Sequence, residues 1–468
     1  MIIEQIYTGC LAQGAYYIES NGEVAIIDPL REVQDYIDRA TKNKAKIKYI
    51  FETHFHADFV SGHVTLAEKT GAKIVYGPSA KTDFEAIIAT DNQVFKVGDI
   101  TITVLHTPGH TMESSCFLLK DKDGKDHALF SGDTLFLGDV GRPDLAQKGA
   151  ITEADLAGYL FDSLRTKIMT LADTVIVYPA HGAGSACGKN LSKETVGTIG
   201  NQKETNYALR ADMTKEEFIK EVTDGLLPPP AYFPLNVKLN KEGYAAIDDV
   251  LKKSIKPIAA KDFEALANET GAVILDVRHQ TEFVKGFIPQ SIFIGIDGGF
   301  APWVGTLIKD VKQPILLVAP IGKEEDTITR LSRVGFDNVL GYLEGSFKAW
   351  QNTGKEIDTL TSISADDLEH RIKEDAVVFD VRKPGEYQSE HIISAASTPL
   401  SFLNDHLNEF PKKEAFYVHC AGGYRSVIAA SILKARGYHN VIDVAGGYAA
   451  IRNTQIERTV AVCPSTLK

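Results

Sequence analysis

The sequence predicts an α/β protein of about three domains, and three observations carry that prediction. Its 468 residues are too many for one ordinary core. Up to about Leu227, short apolar runs alternate with polar, helix-like stretches. The second half then repeats itself at a period of about a hundred residues. A composition of 44% hydrophobic and 24% charged residues fits a chain that folds around cores rather than a low-complexity one.

Residues 24–29, Val-Ala-Ile-Ile-Asp-Pro, read as a buried strand ending in a turn. Residues 47–53 read as another, which delivers His54 and His56 to a loop. Further strands are expected at 101–105, 128–130 and 174–177. Polar residues at the ends of these strands point to one site assembled from several loops. Pro228, Pro229, Pro230 and Pro234 mark a breaker-rich exit, and the Lys-rich stretch 251–258 reads as a linker. Beyond it, Leu275-Asp276-Val277-Arg278 with Glu282 is echoed by Phe379-Asp380-Val381-Arg382 with Glu386. Gly335-Phe336-Asp337-Asn338-Val339 is likewise echoed by Gly437-Tyr438-His439-Asn440-Val441. The pairs Asp276/Arg278 and Asp380/Arg382 are expected to be strand-end ion pairs.

The net charge of −12 argues against a general nucleic-acid surface and against anionic membranes. No apolar run approaches the ~20 residues that span a bilayer. The N-terminal Met1-Ile2-Ile3-Glu4-Gln5 lacks the basic start of a signal peptide, so a cytoplasmic protein is expected. The five cysteines, Cys10, Cys116, Cys187, Cys420 and Cys463, are odd in number and widely spaced, which argues against a disulfide framework. Cys10, Cys116 and Cys463 lack any supporting motif and are expected to be structural.

Two segments carry chemistry. In the first, Thr53-His54-Phe55-His56-Ala57-Asp58-Phe59 packs three potential ligands into five residues. His106-Thr107-Pro108-Gly109-His110-Thr111, Ser131-Gly132-Asp133-Thr134 and Tyr178-Pro179-Ala180-His181-Gly182 follow in order. A lone His is usually structural, but this many His and Asp residues in matched turns argue for metal. Imidazole and carboxylate suit zinc or iron.

These blocks resemble the metallo-β-lactamase superfamily, which implies an αββα sandwich over residues 1–240. Dinuclear hydrolases of that superfamily usually follow the Asp with another His. Phe59 stands there and cannot ligate, so one of two metal sites is expected to be disabled. Residues 53–58, 107–111 and 131–134, with Gly141-Arg142-Pro143-Asp144, are most similar to the persulfide dioxygenases. That resemblance implies one Fe(II) per chain on His54, His110 and Asp133. His56, Asp58 and His181 would orient ligands or remain from a lost second site. The implied reaction joins dioxygen to the persulfide of a small thiol and releases sulfite. Arg142, Tyr178 and Cys187 are candidate substrate contacts. The alternative is a zinc thioester hydrolase like glyoxalase II with a rhodanese appendage, against which Phe59 weighs.

In the second segment, the apolar residues 415–418 run into His419-Cys420-Ala421-Gly422-Gly423-Tyr424-Arg425-Ser426, with a helix expected from about Ser426. Backbone N–H groups of such a loop, a helix N-terminus and Arg425 all favour a Cys420 thiolate. Ala421, Gly422, Gly423, Tyr424 and Ser426 would cradle the persulfide formed on it. The loop resembles that of rhodaneses, and the repeat resembles two tandem rhodanese domains, over 255–355 and 360–462. The first copy reads Leu317-Val318-Ala319-Pro320-Ile321-Gly322-Lys323, with no Cys and a Pro where the donors should begin, so it is expected to be inactive. The whole chain resembles persulfide dioxygenase–rhodanese fusions of sulfide detoxification. Sulfite from the iron would accept sulfur held on Cys420 and leave as thiosulfate, and a homo-oligomer is expected.

Overall fold

The computed structural model describes residues 1–146, 151–189 and 191–462. Cys463 lies outside them. The chain divides into two compact units, one of Met1–Val250 with Leu331–Gly335, the other of Leu251–Arg330 with the chain from Phe336 onward.

In the first unit, β1 (Ile2–Thr8), β2 (Gln13–Ser20), β3 (Glu23–Ile27), β4 (Lys46–Phe51), β5 (Lys73–Tyr76) and β6 (Ile87–Ile88) make one sheet in chain order. It is antiparallel as far as β3 and parallel beyond. A second sheet holds β7 (Val94–Val97), β8 (Ile100–His106), β9 (Ser115–Lys120), β10 (Asp126–Gly132), β11 (Ile176–Pro179) and β12 (Gly197–Thr198), again in order.

The strands are apolar on both faces because both faces are covered. Ala25 and Ile27 of β3 join Phe117, Ala128 and Phe130 of the second sheet in the core between the sheets. Val24 and Ile26, on the other face, join Tyr36, Ala40 and Leu66, from helices Gln34–Lys42 and His63–Thr70 and their flanks. Cys116, Leu118 and Leu129 turn outward to Ala157 and Leu160 of helix Glu153–Ser163. The layers are therefore helix, sheet, sheet, helix.

The second unit contains two sheets of identical strand order. β13 (Pro257–Ile258), β14 (Val273–Asp276), β15 (Ile292–Phe293), β16 (Ile315–Val318) and β17 (Val339–Leu343) lie in the order β13-β17-β16-β14-β15, all parallel. β18 (Ser362–Ile363), β19 (Val377–Asp380), β20 (Ala396–Ser397), β21 (Phe416–His419) and β22 (Val441–Val444) repeat it as β18-β22-β21-β19-β20. The expected ion pairs sit at equivalent strand ends, with Arg278 Nη2 2.5 Å from Asp276 and Arg382 Nη2 2.6 Å from Asp380.

Two expectations for connecting segments need correction. The stretch read as a linker carries helix Ile247–Ser254 and β13. Ile247, Val250 and Ser254 are buried at helical spacing, and Asp248 and Lys253 suit the two ends of the helix dipole. Pro234 opens helix Phe233–Glu242 instead of breaking one, because its missing N–H costs nothing in a first turn.

One buried carboxyl makes stability depend on pH. Asp443 on β22 is pushed up to about 6 by burial, against the pull of the Ser426 and Ser362 hydroxyls. A raised folded-state value means stability is full below the unfolded value of about 3.9 and is lost as pH rises through about 6. The loss is on the order of 2–3 kcal/mol. Asp443→Asn keeps an acceptor for the Ser362 hydroxyl, 2.9 Å away. Calorimetry should show it raising the melting temperature of this unit by a few degrees at neutral pH and not at pH about 4. Equal shifts at both pH values would refute the titration.

Candidate functional site

Four strands of the first unit, β4, β8, β10 and β11, end on ligand-bearing loops. The first three bring together His54, His110 and Asp133, all buried, with one donor atom of each within 4.8 Å of the others, and β11 brings His181 beside them. His110 Nε2 lies 3.4 Å and His54 Nε2 3.9 Å from Asp133 Oδ2. Close backbone approach makes this possible. Gly132 has φ +52°, and a Cβ there would sit 2.6 Å from Cβ of Thr53; a Cβ on Gly141 would sit 3.0 Å from His110 Nδ1.

Hydrogen bonds fix which imidazole nitrogen is free. Thr53 Oγ1 donates to Asp28 Oδ2 at 2.8 Å, so it must accept from His54 Nδ1 at 3.0 Å. The Arg142 carbonyl can only accept, so His110 Nδ1 donates to it at 2.8 Å. Ala12 O takes the Nδ1 proton of His181 in the same way, at 3.2 Å. In its neutral form each of the three rings therefore presents the lone pair of Nε2, the form that binds a metal. Burial, and then the neighbouring His56, His110 and His181, hold His54 well below the usual imidazole range.

Among the described residues, neither oxygen of buried Asp133 has a hydrogen-bond partner, nor does His181 Nε2. An unpaired buried carboxylate costs several kcal/mol, so this arrangement suits a bound cation. Two imidazoles and one carboxylate fit a divalent iron or zinc.

His56 faces elsewhere. Its Nε2 is 3.0 Å from Asp28 and 3.5 Å from Glu52, and its ring lies against Phe59, with ring centroids 4.4 Å apart. Burial lowers its affinity for a proton, but Asp28 and Glu52 outweigh burial and raise it to about 9. Asp58 and His181 instead form a second buried group with Cys187. His181 Nε2 lies 3.4 Å from Asp58 and 3.6 Å from Asp133 Oδ1. Burial first, then Asp58 and Asp133, pushes the Cys187 thiol well up.

Arg142 and Tyr178 both have partners within the fold. The Arg142 guanidinium grips Asp144 through two 2.6 Å bonds and also donates to Leu227 O and Ala186 O. Its carbonyl orients His110. Tyr178 stacks on Phe130 at 5.3 Å and joins the core between the sheets. Asp28, Glu52 and Asn240 are working parts that sequence reasoning missed. Asn240 Nδ2 donates to His56 O and Phe59 O at 2.8 Å, while its Oδ1 accepts from Ser61 N, and so it clamps the ligand loop. Asp28 ends an apolar run just before Pro29, a usable signal; Asn240 carries none.

In the second unit, β21 leads into Cys420. The following helix is Tyr424–Ala435, starting two residues earlier than expected because Gly423, at φ +94°, turns the chain directly into it. Gly423 N–H donates to Cys420 Sγ at 3.1 Å. Behind the loop, Tyr448 N–H and Ala449 N–H donate to the carbonyls of Cys420 and Ala421. Arg425 pairs bidentately with Glu386 at 2.6 and 2.8 Å, so its charge at Cys420 is partly offset instead of full. A cavity of about 440 Å³ opens beside Ala421, lined also by Arg382, Glu386, Tyr448 and Arg452. In the first repeat, the register that sets His419 beside Asp380 sets Val318 beside Asp276, so Ala319 holds the position of Cys420.

Comparison with known proteins agrees with this division. Residues 8–181 match the metallo-β-lactamase superfamily model, and residues 259–353 and 364–454 match the rhodanese-like domain model. A crystal structure of a metallo-β-lactamase from Staphylococcus aureus subsp. aureus COL is 31% identical, with a TM-score of 0.66. The alignment covers 73% of this chain and 98% of that one. A probable hydroxyacylglutathione hydrolase of Schizosaccharomyces pombe is 30% identical over 35% of this chain. A cytoplasmic hydroxyacylglutathione hydrolase of Arabidopsis thaliana is 35% identical over 28% of it. The chain spans 60% and 53% of the length of these two relatives. Among the described residues, no helix is long and apolar enough to cross a membrane.

Proposed function

The chain belongs to the metallo-β-lactamase superfamily and carries two rhodanese-like domains, and from that premise we propose an iron persulfide dioxygenase coupled to sulfur transfer. The observation that carries this reading is the withdrawal of His56 to Asp28 and Glu52, which leaves His54, His110 and Asp133 as a two-His, one-carboxylate set. That set, with open positions, is the one associated with non-heme Fe(II) oxygenases. A divalent iron held there would supply the sites and redox chemistry for joining dioxygen to sulfur. Thr53 and the Arg142 carbonyl hold the two ligand rings so that each Nε2 lone pair faces the site.

The net reaction takes R–S–S⁻, dioxygen and water to R–SH, sulfite and one proton. At the second site, the Cys420 thiolate attacks the outer sulfur of another persulfide. One S–S bond forms as the other breaks, and the departing R–S⁻ takes a proton. Sulfite then attacks the outer sulfur on Cys420, giving thiosulfate and regenerating the thiolate.

A second reading, a zinc thioester hydrolase, draws on the names of the curated relatives and on the Asp58–His181–Cys187 group beside Asp133. Oxygen uptake separates the two. Iron-loaded protein given glutathione persulfide, then coenzyme A persulfide, should consume dioxygen and release sulfite or thiosulfate. Absence of uptake with either, alongside hydrolysis of a glutathione thioester by zinc-loaded protein, would replace the dioxygenase with the hydrolase.

A further inference from the structure

The first rhodanese repeat has Ala319 where the second has Cys420, yet Tyr424 ties it to the reactive loop of the second. Tyr424 directly follows Gly423, the residue whose N–H points at Cys420 Sγ. Its side chain leaves its own domain. The phenol donates to the Gly295 carbonyl of the first repeat at 2.7 Å, and the ring lies edge-on to Phe293, with ring centroids 6.0 Å apart.

The receiving loop is shaped to this ring. A Cβ on Gly298 would fall 2.3 Å from Tyr424 Cζ and 2.6 Å from Cε1; one on Gly295 would fall 3.2 Å from Cε2. No positive φ requires glycine at Gly298, so the tyrosine ring is what excludes a side chain there. A second tie lies further along the same helix, where Phe293 N–H donates to Ser431 Oγ at 3.0 Å. The helix that begins beside Cys420 is thus fastened to the Cys-less repeat at its first residue and again two turns on.

We propose that the Cys-less repeat sets the shape of the sulfurtransferase loop, with Tyr424 as a positioning residue for Cys420 and Gly295 and Gly298 as its socket. This rests on the sulfur-transfer reading of Cys420. From behind, Tyr448 and Ala449 hold only the carbonyl side of the loop, where Tyr448 N–H donates to Cys420 O at 2.6 Å and Ala449 N–H to Ala421 O at 3.0 Å. The Gly423 N–H is oriented from the other end, through the residue that follows it. Freeing Tyr424 lets that N–H turn from the sulfur and removes the one described donor to Cys420 Sγ.

The test substitutes the socket and leaves the loop intact. Gly298→Ala displaces the ring; Gly299→Ala, whose Cβ would come no nearer than 3.4 Å to Trp303, is the control. Alkylation of Cys420 by iodoacetamide, followed on its own peptide by mass spectrometry, reads the sulfur without any sulfur substrate. The charged groups around it, Arg425–Glu386, Arg382–Asp380 and Asp297 near Tyr424, are unchanged in both variants. Gly298→Ala should slow alkylation at neutral pH by about tenfold and move its pH dependence upward. Transfer from thiosulfate to cyanide should fall in parallel, with oxygen uptake unchanged and Gly299→Ala like the parent.

A folded Gly298→Ala protein with the parental alkylation profile overturns the proposal. Should that variant fail to fold, Tyr424→Phe removes only the hydroxyl bond, and an unchanged profile there overturns it equally. Absence of transfer in the parent protein, with the alkylation contrast intact, would overturn the sulfur-transfer reading and leave the positioning role standing.

Discussion

Asp133→Asn should abolish metal retention and oxygen uptake while leaving the metal-free protein at least as stable as the parent. The two effects have opposite signs for one reason. Asp133 is buried, and among the described residues neither carboxylate oxygen has a hydrogen-bond partner. Without a cation this charge destabilises the fold, and an amide relieves it. With a cation it is the anionic ligand at the centre of the cluster, facing His54 and His110 with one oxygen and His181 with the other. Loss of a residue that merely orients a ligand costs about 10–100-fold in affinity or activity, and loss of the ligand itself should cost at least that. Metal analysis with calorimetry checks both halves. The parent should gain melting temperature on iron loading and the variant should gain none. A variant that still holds stoichiometric iron would remove Asp133 from the ligand set.

Cys420→Ser should abolish sulfur transfer and leave oxygen consumption intact. A serine hydroxyl at this position is protonated at neutral pH and does not form the sulfur–sulfur bond on which transfer depends. The expected loss exceeds about a thousandfold, because no other described cysteine has a comparable loop around it. Cys116 and Cys187 are buried with thiols pushed up, by burial before any other cause. Product analysis is the sharper readout: the variant should accumulate sulfite where the parent gives thiosulfate. Thiosulfate formed at the parental rate would assign the transfer to another residue.

The motifs legible in the chain were those whose members lie close in sequence. His54 through Asp58 sit within one loop, and Cys420 through Ser426 span one loop and the start of the helix after it, so their residue types and spacing carry the chemistry. The repeat was legible because Asp276/Arg278 and Asp380/Arg382 recur at matching strand ends, and the two sheets share one strand order. Arg142 and Arg425 share a feature that the motifs did not reveal. An arginine in a loop motif suggests a free positive charge, but Asp144 and Glu386 meet these two bidentately. Both partners lay in plain view, yet nothing in their spacing announced the pairing.

By itself the sequence determined the alternation of strands and helices, the repeat, the ligand types and the absence of a cysteine from the first repeat, because each is a property of local pattern. Only the tertiary structure decided how those residues face one another. It turned His56 toward Asp28 and Glu52, brought Cys187 to Asp58 and His181, and carried Asn240 across 184 positions to His56 O. It also seated Tyr424 in a socket of the neighbouring repeat. The reason is that side-chain direction and long-range pairing are set by packing, where a buried polar group must find its partner wherever the chain brings one.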